Sequence, residues 1–484
     1  MKSVTILTIA AMAMAAATGC SHDNPTPSPE PPVKGGEFNE FGFTTTAPVT
    51  LSVDYGDMAG MPANVYFEVY DTCPVEETET AYAKIAGVEP LYAGYTDGQG
   101  RFEGTIELPA YIRKAYVLTP AFYARTLLEA TRSGDMLTAS AESGAPANAA
   151  PASTRAKEYH STAVERDGWK TWLGSYDTTY GSIGYEYDGD LKVKNYGALL
   201  KAHASVFDTT KKCPKEYRSS RDLYLEKSAE VVITLLGSNT CWNSSMGYYY
   251  YKTGNKPKSL ADANVVMIFP NTQDGRWSNS PWESRLYQGV ERGTAVQLIY
   301  YPEIADGSKA GATTVFPADY RIGFVLATNA WTNRLRAGDK KYRAATSDGL
   351  SVNNNGVAYQ TPRTAVFRYT DKKSGINSVL FSFEDHTNDE NFSDVVFTMT
   401  SNPVDAVTDI PSVDVNDGKK TANVLRGIYA FEDLWPSRGD YDMNDVMVRS
   451  DYEKVFNEKG VFEESFMLKT FANFAGNANG LAVT

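Results

Sequence analysis

The sequence predicts a mainly β, multi-domain protein, and three observations predict it. Apolar residues alternate in steps of two, as at Val49, Leu51 and Val53, the period that half-buried strands impose. Clusters of Gly, Asn, Asp and Pro cut these segments at short intervals, which is the chemistry of tight turns. Between residues 163 and 400 the best helix candidate is residues 196–206, set among many strand-like runs.

The chain opens on Lys2 and an apolar run over residues 4–17, long enough for the hydrophobic part of an export signal and too short to span a bilayer. It ends in Ala17-Thr18-Gly19-Cys20, which resembles the lipobox of bacterial lipoproteins, although Ala17 stands where leucine is more usual. Residues 1–19 are therefore expected to be a signal peptide and Cys20 the lipidation site. An ordinary secretory signal cut before Cys20 is the alternative. What favours the lipid is the segment 20–37, whose Pro25, Pro27, Pro29, Pro31 and Pro32 make it a stiffened tether rather than a folded element. Each buried acyl methylene contributes about 0.8 kcal/mol, so two or three chains anchor a protein without a transmembrane helix.

Loss of the signal removes one positive charge and takes the formal balance from −13 to −14. So acidic a body does not seek nucleic acid, and it has carboxylates available for cations. Of four cysteines, Cys20 is taken by lipid, and the odd remainder of Cys73, Cys213 and Cys241 suggests one disulfide and one buried thiol. Cys213 with Cys241 is the expected pair, because both fall in the same expected domain.

An immunoglobulin-like β-sandwich is expected over 38–132, where Val65, Phe67 and Val69, then Phe102 and Ile106, continue the alternation and Thr96-Asp97-Gly98 makes a turn. Residues 133–162 are small, polar and without period, as a linker should be. Over 163–400, runs such as Val231–Leu236, Val265–Phe269, Ile322–Leu326 and Val379–Phe383 argue for a two-sheet sandwich or jelly roll. Four consecutive tyrosines, Tyr248 to Tyr251, read first as strand packing and second as a stacking platform for sugar. A connecting segment over 401–426 and a last β domain over 427–484 complete the order.

The sequence also echoes itself. Phe383-Glu384-Asp385 is followed by Asp389-Glu390-Asn391-Phe392-Ser393-Asp394-Val395, and Phe431-Glu432-Asp433 by Asp440-Tyr441-Asp442-Met443-Asn444-Asp445-Val446. Each is a strand, a polar loop and a second strand, so each predicts a hairpin with a carboxylate-lined tip. In the second copy Glu432, Asp433, Asp440, Asp442 and Asp445 crowd one loop, and two unit charges about 4 Å apart repel by about 4 kcal/mol at an effective dielectric near 20. A hard cation with oxygen ligands relieves this, and calcium is the extracellular choice. The expected ligands are Glu384, Asp385, Asp389, Asn391 and Asp394 in one tip and Glu432, Asp433, Asp440, Asp442, Asn444 and Asp445 in the other. The second tip is not an EF-hand, since Asp445 stands at the sixth loop position, where that loop needs glycine.

The stretch from Gly427 to Asp445, with Phe431-Glu432-Asp433 and Asp440-Tyr441-Asp442-Met443-Asn444-Asp445 at its heart, resembles the signature of LruC domain-containing lipoproteins of the Bacteroidetes. Upstream, Ala229–Thr234, Asn243–Tyr251, Ile268–Asn271, Ile322–Trp331 and the first acidic motif resemble a domain of unknown function that recurs beside it. The resemblance covers most of residues 170–484. It implies a surface-exposed, outer-membrane lipoprotein with calcium-binding β domains and no assigned activity. Relatives continue beyond the position of Thr484, so the chain is expected to be a fragment whose last domain exposes an unpaired strand edge.

Three functions are compatible with these residues. The leading one is a non-enzymatic, calcium-stabilised binding or adhesion protein whose partner is a glycan, host matrix or a cell-surface protein. A glycan-processing enzyme component comes second, but His22, His160, His203 and His386 lie far apart and no His-Glu-x-x-His, Gly-x-Ser-x-Gly or Walker loop occurs. Clustered tip carboxylates also serve a cation better than a glycosidic bond, which needs them facing across a cleft. The third is a structural cell-envelope or fimbria-like subunit.

Overall fold

The computed structural model describes residues 46–56, 64–77, 82–141, 159–160, 171–177, 181–193, 197–240, 242–273, 289–331, 342–371, 376–386, 389–412, 420–433, 442–457, 460–475 and 480–481. The expected signal, Cys20 and its tether lie outside the described residues, as do Cys241 and Asp440. The protein is mainly β, with several separate sheets.

The first sheet has seven strands in the order Tyr92–Tyr95, Tyr66–Tyr70, Lys114–Leu118, Leu127–Ser133, Met136–Ser140, Thr46–Asp54, Arg101–Pro109. Alternation does what it predicts: Val49, Leu51 and Val53 are buried while Thr50 and Ser52 between them are half-buried. The sheet runs past the expected boundary at 132. Gly134 at φ +61° permits a tight turn, and Met136–Ser140 returns to pair in parallel with the first strand, burying Leu137 and Ala139.

Downstream, two sheets face each other as expected. One holds Thr171–Trp172, Val266–Phe269, Ser245–Lys252, Tyr320–Ala327, Leu223–Leu225 and Val407–Thr408; the other holds Ala295–Gln297, Ala229–Ser238, Val395–Asn402, Ile376–Phe383 and Thr364–Asp371. Between them Phe324 meets Phe381 and Phe397 edge-on with ring centroids 5.1 and 5.0 Å apart. The tyrosine run is packing, since Tyr248 and Tyr249 are fully buried and Tyr250 and Tyr251 donate to Tyr301 O and Asp222. The second sheet is covered on its outer face too. Leu236, Leu380 and Val396 share one apolar cluster with Leu199 and Leu200 of the helix Gly197–Val206 and with Val117 and Phe122 of the first sheet. This double cover explains why Ala229–Ser238 is buried almost end to end and reads as an unbroken apolar run.

A further, antiparallel sheet comprises Lys420–Phe431, Val446–Asn457 and Gly460–Asn473. Phe456 seats it against Tyr66, Ala93 and Tyr95, while Ile428 at 63% and Phe474 at 71% exposure lie open. The expected Cys213–Cys241 bridge gives way to a free, buried Cys213, whose sulfur donates to the Pro214 carbonyl at 3.3 Å and whose thiol burial pushes up to a pKa of about 12. Cys73 is likewise a free thiol.

Candidate metal centres

Each acidic motif closes a pair of antiparallel strands. In the first, Phe383 pairs with Val395; in the second, Phe431 pairs with Val446. The chain leaving the first strand is then caught by the aspartate that opens the second: the Asp385 amide donates to Asp394 Oδ2 at 2.6 Å, and the Asp433 amide to Asp445 Oδ2 at 2.7 Å. The preceding glutamate reaches back across the loop. Glu384 Oε2 accepts from the Phe392 amide at 3.2 Å, and Glu432 Oε2 from the Met443 amide at 3.3 Å. Phe392 and Met443 both occupy the left-handed region, at φ +59° and +56°. Asn391 Oδ1 caps the Ser393 amide at 2.7 Å, as Asp442 Oδ1 caps that of Asn444 at 3.2 Å. Even the third strand is shared, because the Asn239 amide donates to the Asp394 carbonyl at 3.0 Å and the Phe474 amide to the Asp445 carbonyl at 2.9 Å. The sequence echo is therefore one three-stranded local structure built twice.

The tips gather carboxylates as the chemistry anticipated. One oxygen each from Glu384, Asp389 and Asp394 lie within 4.8 Å of one another, and so do oxygens of Glu432, Asp433 and Asp445. That spread fits a calcium ion, whose oxygen ligands at about 2.3–2.6 Å stand up to about 5 Å apart across the ion. Other expected ligands have different tasks. The Asp385 carboxylate accepts from Thr240 Oγ1 at 2.5 Å and is not among the grouped oxygens. Asn391 spends its amide nitrogen on Asp389 Oδ2 at 2.8 Å and on the Thr209 carbonyl at 3.1 Å. Asp442 accepts from the Asn444 side chain and is not among the grouped carboxylates.

Sequence reasoning missed Arg363. It is 2% exposed, stacks its guanidinium 4.9 Å over the Tyr359 ring and brings Nη2 to 3.2 Å from Glu384 Oε1. Strand register explains the placement: Thr364 pairs with Phe383, so the next residue outward meets Glu384, and the Glu384 amide donates to the Arg363 carbonyl at 3.0 Å. Reading the 364–371/376–383 hairpin backwards from its turn would have found it. Charge proximity does not make a hydrogen bond here, and both Glu384 Oε1 and Arg363 Nη2 are buried without one. A buried carboxylate oxygen so left is costly unless another ligand satisfies it.

Electrostatics point the same way. Burial, then the neighbouring Asp389, pushes the Glu384 carboxyl well above its usual range against the pull of Arg363. Burial followed by Asp385, Glu384 and Asp389 does the same to Asp394, and Asp385 rises to about 7, chiefly through burial. Glu390 behaves differently: burial raises it, but Arg218, Lys212 and Arg363 together outweigh burial and hold it low. Burial and mutual repulsion thus disfavour bare negative charge on Glu384 and Asp394, and a cation among them would offset it.

Two family descriptions match parts of the chain, each a domain of unknown function: DUF8469 over residues 47–141 and DUF4114 over residues 316–402. The first coincides with the seven-stranded sheet, and the second spans the strands that carry the first acidic tip. No curated protein and no solved structure matches the chain.

Proposed function

We propose that this protein is a calcium-stabilised, non-enzymatic binding or adhesion protein, tethered to the bacterial outer membrane through Cys20 and displayed at the cell surface. The single observation that carries the calcium part is the repetition of one hydrogen-bonded scaffold around two carboxylate groups, one of which buries an oxygen of Glu384 without a hydrogen bond. Glu384, Asp389 and Asp394 would hold the first ion and Glu432, Asp433 and Asp445 the second. The ion supplies positive charge where the fold has crowded negative charge, and the loops it fixes are rigid faces for a glycan or protein partner. Support for a non-catalytic role is that His203 is fully buried against Phe122 and Phe207, with burial driving its pKa down to about 3. The resemblance to LruC domain lipoproteins and the lipobox-like Ala17-Thr18-Gly19-Cys20 support the location.

Calorimetric calcium titration with thermal melting tests the reading. Free calcium at 100 times Kd adds about 2.7 kcal/mol for a single site, and Asp394→Ala and Asp445→Ala each remove part of the gain. Equal melting of parent and both variants in calcium and in chelator would falsify the metal assignment. A glycan and matrix-protein array, read with and without chelator, then separates binding from turnover.

A further inference from the structure

We infer that the ion at the first tip is also a clasp between domains: it fixes the loop against which the seven-stranded N-terminal sheet docks, so calcium occupancy sets how firmly residues 46–141 are held to the sandwich. This rests on the calcium reading above and extends it to regulation.

The contacts run in a short chain. Asn391, fully buried, ties the ligand Asp389 to the Thr209 carbonyl through its amide nitrogen, at 2.8 and 3.1 Å. One residue earlier, the Glu390 carbonyl accepts from the Cys213 amide at 2.8 Å, and the Glu390 carboxylate stands 3.4 Å from Lys212 Nζ. The loop thus grips the segment 209–213 at both ends. On its other side the same segment bonds to the N-terminal domain outside its seven-stranded sheet: the Thr209 amide donates to the Pro120 carbonyl at 3.1 Å, just past the strand Lys114–Leu118, and the Thr210 carbonyl accepts at 3.2 Å from the amide of Lys84 in the short strand Tyr82–Lys84. Phe392, between the ligands in sequence, is fully buried in the apolar cluster that Val117, Phe122 and Ala124 share with Leu199 and Phe207. One strip of backbone therefore lies between the metal loop and the domain interface and has hydrogen bonds to both.

Glu390 and Phe392 sit at φ +51° and +59°, a conformation that non-glycine residues hold only where the surroundings impose it. Three carboxylates without an ion repel one another and loosen that constraint, whereas an ion pulls Asp389 inward and holds Asn391 in place behind it. The domain does not fall away without the ion. Arg292 donates to the Tyr123 carbonyl at 3.1 Å and is independent of the loop, so the expected change is local loosening along 84 and 209–210.

Hydrogen exchange of the full chain, in calcium and in chelator, reads this directly. The Lys84, Thr209 and Cys213 amides should exchange about tenfold more slowly in calcium, beyond any change at the Leu51 amide, which lies in a strand paired on both sides within the seven-stranded N-terminal sheet. Asn391→Ala leaves the carboxylate ligands in place, so it should bind calcium by calorimetry yet lose that calcium-dependent protection. Calcium binding with unchanged protection at the three amides overturns the clasp and leaves the metal reading intact. Protection that rises equally in Asn391→Ala also overturns it, and absence of any calcium binding overturns both.

Discussion

At the first tip Glu384 is 1% exposed and faces an arginine; at the second, Glu432 is half-buried and no ion pair to it occurs among the described residues. Local hydrogen bonds are the same, so the surroundings make the difference. The strand ahead of the first tip, Ile376–Phe383, has neighbours on both sides, and one of them carries Arg363 to the glutamate. Its counterpart Lys420–Phe431 is the outer strand of its sheet. An added strand has turned a solvent-facing acidic loop into an interior one with a resident positive charge. A cation and an arginine there compete for the same carboxylate oxygens, whereas no arginine or lysine pairs with Glu432 among the described residues.

The strongest way to break this contrast is Arg363→Met. Removing one partner of a buried charge pair costs about 3–5 kcal/mol, so urea melts in chelator should show a loss of that order. Calcium should recover most of it, with a larger calcium-linked gain in the variant than in the parent; an equal loss in both solutions would mean that Arg363 and the ion do not share Glu384.

Next in size is Phe392→Gly, which removes a fully buried ring and should destabilise by about 3 kcal/mol. Relief of the left-handed backbone offsets little of it.

The pH dependence sharpens the comparison further. Burial raises the Asp385 carboxyl to about 7 and moves Glu384, Asp389 and Asp394 in the same direction. A carboxyl raised on folding stabilises the fold fully below its unfolded pKa and loses that contribution as pH climbs through the folded value. Melting temperature in chelator should therefore fall from about pH 4 to beyond pH 7. Calcium, which binds the ionised forms, should add more at pH 8 than at pH 5. A flat profile in chelator would remove the buried tip as its source.

Smallest of all is Met443→Gly. Its backbone matches that of Phe392, but its side chain is 39% exposed, so the substitution should be neutral or stabilising by up to about 1 kcal/mol in a chemical melt. A loss like that of Phe392→Gly would show that the second tip is covered as the first is.

Much of this was legible because it is local. Alternation at Val49, Leu51 and Val53 marks a strand in any context, the helix expected at 196–206 occurs as Gly197–Val206, and the echoed Phe-Glu-Asp motifs carried their hairpin geometry with them. What escaped is non-local. Nothing near Arg363 in sequence announces a buried ion pair, because its partner arrives through strand register. Asn391 and Asp385 look like ligands from their spacing, but their bonds to Thr209 and Thr240 come from other elements, which spacing does not reveal. The boundary at 132 was misplaced because Leu137 and Ala139 sit among small polar residues and alternate too briefly to register as a strand before pairing is known.

The parallel pairing of Thr46–Asp54 with Met136–Ser140 has a mechanical consequence. The strands that come first and last in the sequence of the N-terminal sheet lie side by side and point the same way, and the first is flanked on its other edge by Arg101–Pro109. Tension applied between the start of the first strand and the end of the last drags them past each other, so the rungs joining them are sheared together instead of being peeled one at a time. A protein hauled from its amino-terminal side resists at that seam before any other part of the sheet gives way.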